Sequence, residues 1–158
     1  MEVTLRPATD ADAPFLRDVY ASTRTEELAQ VDWTDEQKAA FLSSQFAAQD
    51  AHYRGYPGAT FEVVLVDGQP VGRCYVARWA EELRVVDISV LPEHRGQGIG
   101  RELLGDLLAE AARTGVKVSV HVEKLNRART LYERLGFVEV EDTGVYLRME
   151  RPAPHAVS

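Results

Sequence analysis

The chain has 158 residues, 45% of them hydrophobic, and a single cysteine, which suits one globular domain with a sizeable core and excludes an internal disulfide framework. Its net charge of -7 and pI near 5.1 disfavour nucleic acid and anionic membranes as partners, unless basic residues are segregated on one surface. No apolar run approaches the roughly 20 residues of a membrane span, and Met1-Glu2-Val3-Thr4 opens folded-looking sequence without a charged, apolar leader, so a cytoplasmic protein is expected.

In chain order, Glu2 to Arg6 predicts a short strand closed by Pro7. Thr9 and Asp12 then compete as the cap of a helix whose apolar face is Phe15, Leu16, Val19 and Tyr20. After an acidic link, Thr34-Asp35-Glu36-Gln37 has the form of a capping box. It opens a second helix with a thin stripe, Phe41, Leu42, Phe46 and Tyr53, interrupted by Gln45 and Gln49. Gly55-Tyr56-Pro57-Gly58 breaks the chain, and two strands follow, Thr60 to Val66 and Val71 to Arg78, around the Asp67-Gly68 turn signal. Residues 83–91 form a β-branched strand stopped by Pro92, and Ile99, Leu103, Leu104, Leu107, Leu108, Ala111 and Ala112 recur at helical spacing. Lys117 to Glu123 alternates as a strand with one apolar face. A helix starting at Asn126 buries Ala128, Leu131, Tyr132 and Leu135, and Phe137 to Asp142 pairs with Val145 to Glu150 around Thr143-Gly144. The fold class is therefore α/β (α+β), a mixed sheet with helices on both faces, in one domain over residues 1–151 with a disordered tail at 152–158.

Chemistry concentrates where the strand at 83–91 feeds the long helix. Gly96, Gly98 and Gly100 follow Arg95 and leave backbone N–H groups bare at a helix start, an arrangement that binds phosphate. The bland alternative is a plain turn with close helix–strand packing. No Gly-Lys-Ser/Thr follows, which sets aside a Walker loop. Glu123 lies near the distance at which a dinucleotide-binding turn keeps its acidic residue, but the first half lacks repeated βαβ units. The neighbouring Arg95, Arg101, Lys124, Arg127, Arg129 and Arg134 suit a small polyphosphate better than a duplex.

Arg95-x-x-Gly98-x-Gly100 after the Val90-x-Pro92 strand end resembles the coenzyme A pyrophosphate loop of the GNAT N-acetyltransferase superfamily. Asn126-Arg127-Ala128 with Leu131-Tyr132-Glu133-Arg134-Leu135-Gly136-Phe137 resembles its second signature, and Leu5-Arg6-Pro7-Ala8-Thr9 a frequent opening. The resemblance implies a GNAT-like, mostly antiparallel sheet whose central strands splay to admit pantetheine. It also implies an acetyl-CoA-dependent N-acetyltransferase acting on a primary amine of a small molecule, amino acid or peptide, by direct attack in a ternary complex. Acetyl-CoA or CoA would contact Ile88, Ser89, Val90, Arg95, Gly96, Gln97, Gly98, Ile99, Gly100, Arg101, Asn126 and Tyr132. A homodimer is compatible with the resemblance, and the rival reading is a non-catalytic coenzyme A-binding or regulatory module.

For catalysis, the resemblance makes the Tyr132 hydroxyl the acid that protonates the leaving thiolate; a core tyrosine is the alternative. The base is open among His121, which titrates near neutrality, Asp87, a carboxylate in an apolar strand, and Glu82 at that strand's start. Asn126 stands six residues before Tyr132, where relatives place their pantetheine contact seven before, so it fits a helix cap equally well. Arg24, Glu26, Glu27, Trp33, His52, Tyr53 and Tyr56 lie where the superfamily builds its acceptor site, and their aromatic and acidic character suits a cationic amine. Cys74 reads as a strand residue, and His52, His94, His121 and His155 have no metal-ligand spacing, so no metal is expected.

Overall fold

The computed structural model describes residues 1–124 and 128–154. Seven strands make one sheet, in the order β1 (Val3–Pro7), β2 (Ala59–Val66), β3 (Gln69–Arg78), β4 (Glu82–Val90), β5 (Lys117–Glu123), β7 (Tyr146–Arg151) and β6 (Val138–Asp142). The ladders β1–β2, β5–β7 and β6–β7 are antiparallel, and β4–β5 is parallel. Helices flank this largely antiparallel sheet, the mixed architecture expected from the sequence: α1 (Ala13–Ser22), α2 (Thr25–Ala29), α3 (Asp35–Arg54), α4 (Ile99–Thr114) and α5 (Ala128–Arg134). The chain divides into two compact units, Met1–Tyr75 with Asp87–Gly100, and Val76–Val86 with Arg101–Ser158.

In the first unit, α1 buries Leu16, Val19 and Tyr20, the face read from its spacing. A single 3-10 turn at Asp10–Asp12 precedes α1, and Asp12 takes the N-cap position of α1 without a side-chain cap bond: its carboxylate accepts from the Thr9 N–H at 2.8 Å and from Arg6 at 2.8 and 2.9 Å. The acidic link contains the unanticipated α2, whose Leu28 is buried. At five residues it is too short to show a helical period in sequence. The capping box of α3 forms, with Gln37 N–H donating to Thr34 Oγ1 at 3.1 Å and Thr34 N–H to Gln37 Oε1 at 2.9 Å. None of its 20 residues is fully buried, as its thin stripe implies.

In the second unit, Leu103, Leu104, Leu107, Leu108 and Ala111 of α4 share a core with Leu83, Val85, Val118, Val120, Val122, Leu147, Met149 and Phe137. The parallel ladder pairs Glu82↔Lys117 through Val85↔Val120. Leu131, Tyr132 and Leu135, expected to be buried, are half-buried; a seven-residue helix has two turns and covers them only in part. Pro152 and Pro154 line a cavity with Leu108, Ala111 and Val118. Residues 155–158 lie outside the described residues.

Candidate functional site

Sequence dictates the loop that leads into α4. Pro92 ends β4 and opens a 3-10 turn, Pro92–His94, and Gly96 and Gly98 then take φ values of +79° and +84°, where a side chain is strained. Gly100 has no such backbone requirement. A β-carbon built at Gly96, Gly98 or Gly100 meets no atom within 4 Å. Close packing therefore explains none of the three, and the bare backbone faces open space. The helix start leaves the first N–H groups of α4, from Ile99 onward, without intrahelical acceptors. Arg95, expected to add charge, also ties the loop down: its Nε donates to the Val90 carbonyl at 2.9 Å and Nη2 to Ser22 Oγ at 3.4 Å. Arg95, Gln97 and Arg101 are exposed. Ile99 is buried and anchors the helix start.

Ile88, Ser89 and Val90 are half-buried at the end of β4, next to a polar cluster centred on Asp87. Its Oδ2 accepts from Arg73 Nη2 at 2.7 Å and Tyr53 OH at 3.1 Å, and its Oδ1 from Ser89 Oγ at 2.6 Å. Arg73 is 2% exposed and also donates to Gln49 Oε1 at 2.8 Å, so the polar break in the α3 stripe is the partner of a buried arginine. Its guanidinium lies 5.1 Å from the Tyr75 ring centroid and 6.0 Å from that of Tyr20. Burial works against the Arg73 charge, yet Asp87 more than restores it and its pKa is raised. Asp87 thus holds three donors, one of them cationic, which answers how a carboxylate is tolerated in an apolar strand.

The acceptor-side residues named from sequence do not form one group. Tyr53, His52, Tyr56 and Tyr75 make a cluster of ring contacts at 5.6–6.5 Å beside Asp87. Trp33 instead stacks edge-on against Phe41 near the start of α3, about 20 Å along the helix from Tyr53 at 1.5 Å per residue. Arg24 pairs with Glu27 at 3.0 Å and donates to Tyr20 OH at 3.2 Å; Glu26 is exposed. Cys74 is buried, as a strand residue should be.

In the second unit, His121 sits opposite Arg148 in the β5–β7 ladder and stays accessible to solvent. Partial burial first, then the charges of Arg84 and Arg148, lower its pKa below the usual imidazole value, with Glu141 and Glu82 opposing. Glu82 is committed elsewhere: it accepts from Ser119 Oγ, from Arg84 Nη2 at 3.2 Å and from Arg148 Nη2 at 3.2 and 3.3 Å. Burial pushes its pKa up, but these donors outweigh it and hold the carboxyl below its usual range. Arg84 Nε donates to Ser119 Oγ at 2.6 Å, which explains why Ser119 is fully buried on the otherwise polar face of β5. Tyr132 packs edge-on against Phe137, with ring centroids 5.3 Å apart, and is half-buried. Asn126 lies outside the described residues. Among the described residues no group of three or more His, Cys, Asp or Glu could hold a metal, and no helix is long and apolar enough to cross a membrane.

A glycine-lined turn into a helix, at the end of a strand in a mixed sheet of this order, defines the class. The family model of the acetyltransferase (GNAT) domain matches residues 57–139, and the chain belongs to that family. It is similar to the ribosomal protein bS18-alanine N-acetyltransferase of Haemophilus influenzae, 33% identical over 79 residues, 49% of this chain and 54% of that protein. It is also similar to the mycothiol acetyltransferase of Nocardiopsis dassonvillei, 39% identical over 61 residues, 39% of this chain and 18% of that protein. The match thus spans about half of the first relative's length and less of the second's. In fold, it resembles the PaiA N-acetyltransferase of Thermoplasma acidophilum in complex with coenzyme A, with a TM-score of 0.72 at 16% identity, covering 96% of this chain and 99% of that one.

The sequence reading missed Arg73, Arg84 and Gln49. A usable signal existed for one of them: Arg73 is a charge inside the apolar run Val71 to Ala77, which calls for a buried partner.

Proposed function

We propose that the chain is an acetyl-CoA-dependent N-acetyltransferase that transfers the acetyl group to a primary amine by direct attack, with both substrates held together. The observation that carries this reading is the open glycine loop: bare at Gly96, Gly98 and Gly100, left-handed at two of them, and leading into a helix N-terminus. The N–H groups of Gln97 to Arg101 bind the pyrophosphate, and Arg101 adds charge. Pantetheine takes the end of β4 at Ile88 to Val90, half-buried residues tied to the glycine loop by the Arg95 bond to the Val90 carbonyl.

His121 is the base. It is the candidate whose surroundings favour the neutral, proton-accepting form, whereas Asp87 and Glu82 are each engaged by arginine. The amine loses its proton to His121 and attacks the thioester carbonyl, the C–S bond breaks, and Tyr132 protonates the departing sulfur. A free thiol titrates at about 8.5, so this last proton is a modest aid and most of the acceleration comes from positioning.

Calorimetric titration with acetyl-CoA, against a pantetheine lacking the pyrophosphate, tests the reading. Micromolar binding that needs the pyrophosphate, followed by thiol release with members of an amine panel, is the expected result. Binding without thiol release for any amine would leave a non-catalytic coenzyme A module in its place.

A further inference from the structure

One face of the second unit's strands carries a row of charge. His121↔Arg148 and Arg148↔Glu141 are directly opposed pairs in the β5–β7 and β6–β7 ladders, so the three side chains stand on the same face. His121 is exposed and the Arg148 side chain is 25% exposed. After partial burial and Arg84, Arg148 is the next influence that lowers the His121 pKa, which puts the two side chains within electrostatic reach of each other.

Arg148 is anchored through one nitrogen. Its Nη2 donates to the two Glu82 oxygens at 3.2 and 3.3 Å and lies 2.8 Å from Glu150 Oε2. Glu82 is fixed in turn by Ser119 and Arg84, and Glu150 Oε2 also faces Lys117 Nζ at 3.2 Å. Nε and Nη1 of Arg148 donate to no partner among the described residues. The ion-pair cluster therefore holds its guanidinium in place and leaves donors over. It also leaves charge over: Arg84, Lys117 and Arg148 share only Glu82 and Glu150. An excess cation in a largely buried cluster favours an added anion. The other acids around His121, Glu141 and Glu123, are exposed and in no ion pair among the described residues, so they meet an approaching ammonium group from the solvent side.

Directly opposed residues of an antiparallel pair have Cβ atoms about 4.5–5.5 Å apart. In an α-amino acid, the amine nitrogen and the carboxylate carbon lie about 2.5 Å apart across one tetrahedral carbon. Such a molecule spans the pair, with its nitrogen at the imidazole and its carboxylate at the free donors of the guanidinium. We infer that the acceptor is an amino carboxylate, a free α-amino acid in its simplest form, and that Arg148 selects it by binding the carboxylate while His121 takes the proton of the amine. This rests on the acetyl-transfer reading above. The transfer itself balances as before: the N–C bond forms, the C–S bond breaks, His121 gains the amine's proton and the thiolate gains one from Tyr132. A plain alkylamine or a peptide N-terminus has no carboxylate at that distance, so the geometry separates the acceptor classes that the sequence left together.

The test is thiol release from saturating acetyl-CoA by the whole chain, at about pH 8 where His121 is neutral. The acceptors are L-amino acids, their carboxamides and the matching alkylamines. For the best acceptor, kcat/KM of the acid should exceed that of its amide by about tenfold or more. Arg148→Gln should cut this acid-to-amide ratio by about tenfold, chiefly through the KM of the acid, and Arg148→Lys, which keeps the charge, should restore part of it. Arg113→Gln, at an exposed arginine of α4, is the control that leaves the ratio unmoved. Wild-type protein that uses amides or alkylamines as well as the acids overturns the inference without any variant needing to fold. So does an Arg148→Gln protein with the full preference for acids. Thiol release with no acceptor of any kind would instead overturn the acetyl-transfer reading itself.

Discussion

Replacing Gly98 by Glu puts the loop assignment at risk most directly. Two effects separate cleanly at this position. An L-residue at φ +84° costs about 1–2 kcal/mol, and because no atom lies within 4 Å of its β-carbon no steric clash is added. That cost falls on the loop with or without ligand. The second effect is electrostatic: a carboxylate about 4 Å from a phosphate charge is repelled by about 4 kcal/mol at an effective dielectric of about 20, and solvent screening at this exposed loop reduces it to about 2. With one or two phosphate charges in range, acetyl-CoA binding should weaken by about 2–4 kcal/mol, which is roughly 30- to 1000-fold at 1.4 kcal/mol per decade. Gly98→Ala carries the conformational cost alone and should lose less than about tenfold. Calorimetry with acetyl-CoA and with pantetheine reads both, and pantetheine affinity should be the same for wild type and Gly98→Glu. If Gly98→Glu binds acetyl-CoA within threefold of wild type, the phosphate does not sit at this loop.

Arg73→Ala strands the Asp87 carboxylate and should destabilise the protein by about 3–5 kcal/mol in urea unfolding. Asp87→Asn keeps acceptor and shape and should cost less, and equal costs would mean that the pair's charge is immaterial. Arg148→Gln removes a cation whose charge helps lower the His121 pKa. The neutral base forms as pH rises through that pKa, so the acidic limb of the rate profile should lie below the ordinary imidazole value in the wild type and shift to higher pH in the variant. An unmoved limb would assign the titration to another group. Tyr132→Phe should slow thiol release several-fold with acetyl-CoA affinity nearly unchanged, as measured by stopped-flow thiol detection; an unaltered rate would remove Tyr132 as the acid.

Much of the fold was legible because its signals are local. The capping box at Thr34, the turn at Asp67-Gly68 and the periodicity of α4 each depend on residues a few positions apart, and each formed where the sequence put it. The apolar face of β5 was legible too, except at Ser119, whose burial depends on Arg84 reaching it from β4. α2 escaped notice because five residues cannot display a helical period. Trp33 packs near the start of α3 and Tyr53 lies near its end, a separation that shows only once the helix has its length in space.

The sequence by itself determined the family, the glycine loop and the short list of titratable groups, since glycine spacing and a charge in an apolar strand are properties of the chain. Only tertiary structure decided how those groups divide the work. Asp87 and Glu82 read in sequence as candidate bases, yet arginines hold both, and His121 owes its lowered pKa first to partial burial and then to cations from β4 and β7. Arg148 is the clearest case, because a charge in a terminal hairpin means nothing until the ladder sets it opposite His121. Proton affinity and ligand preference are set by what surrounds a residue, and strands distant in sequence supply those surroundings.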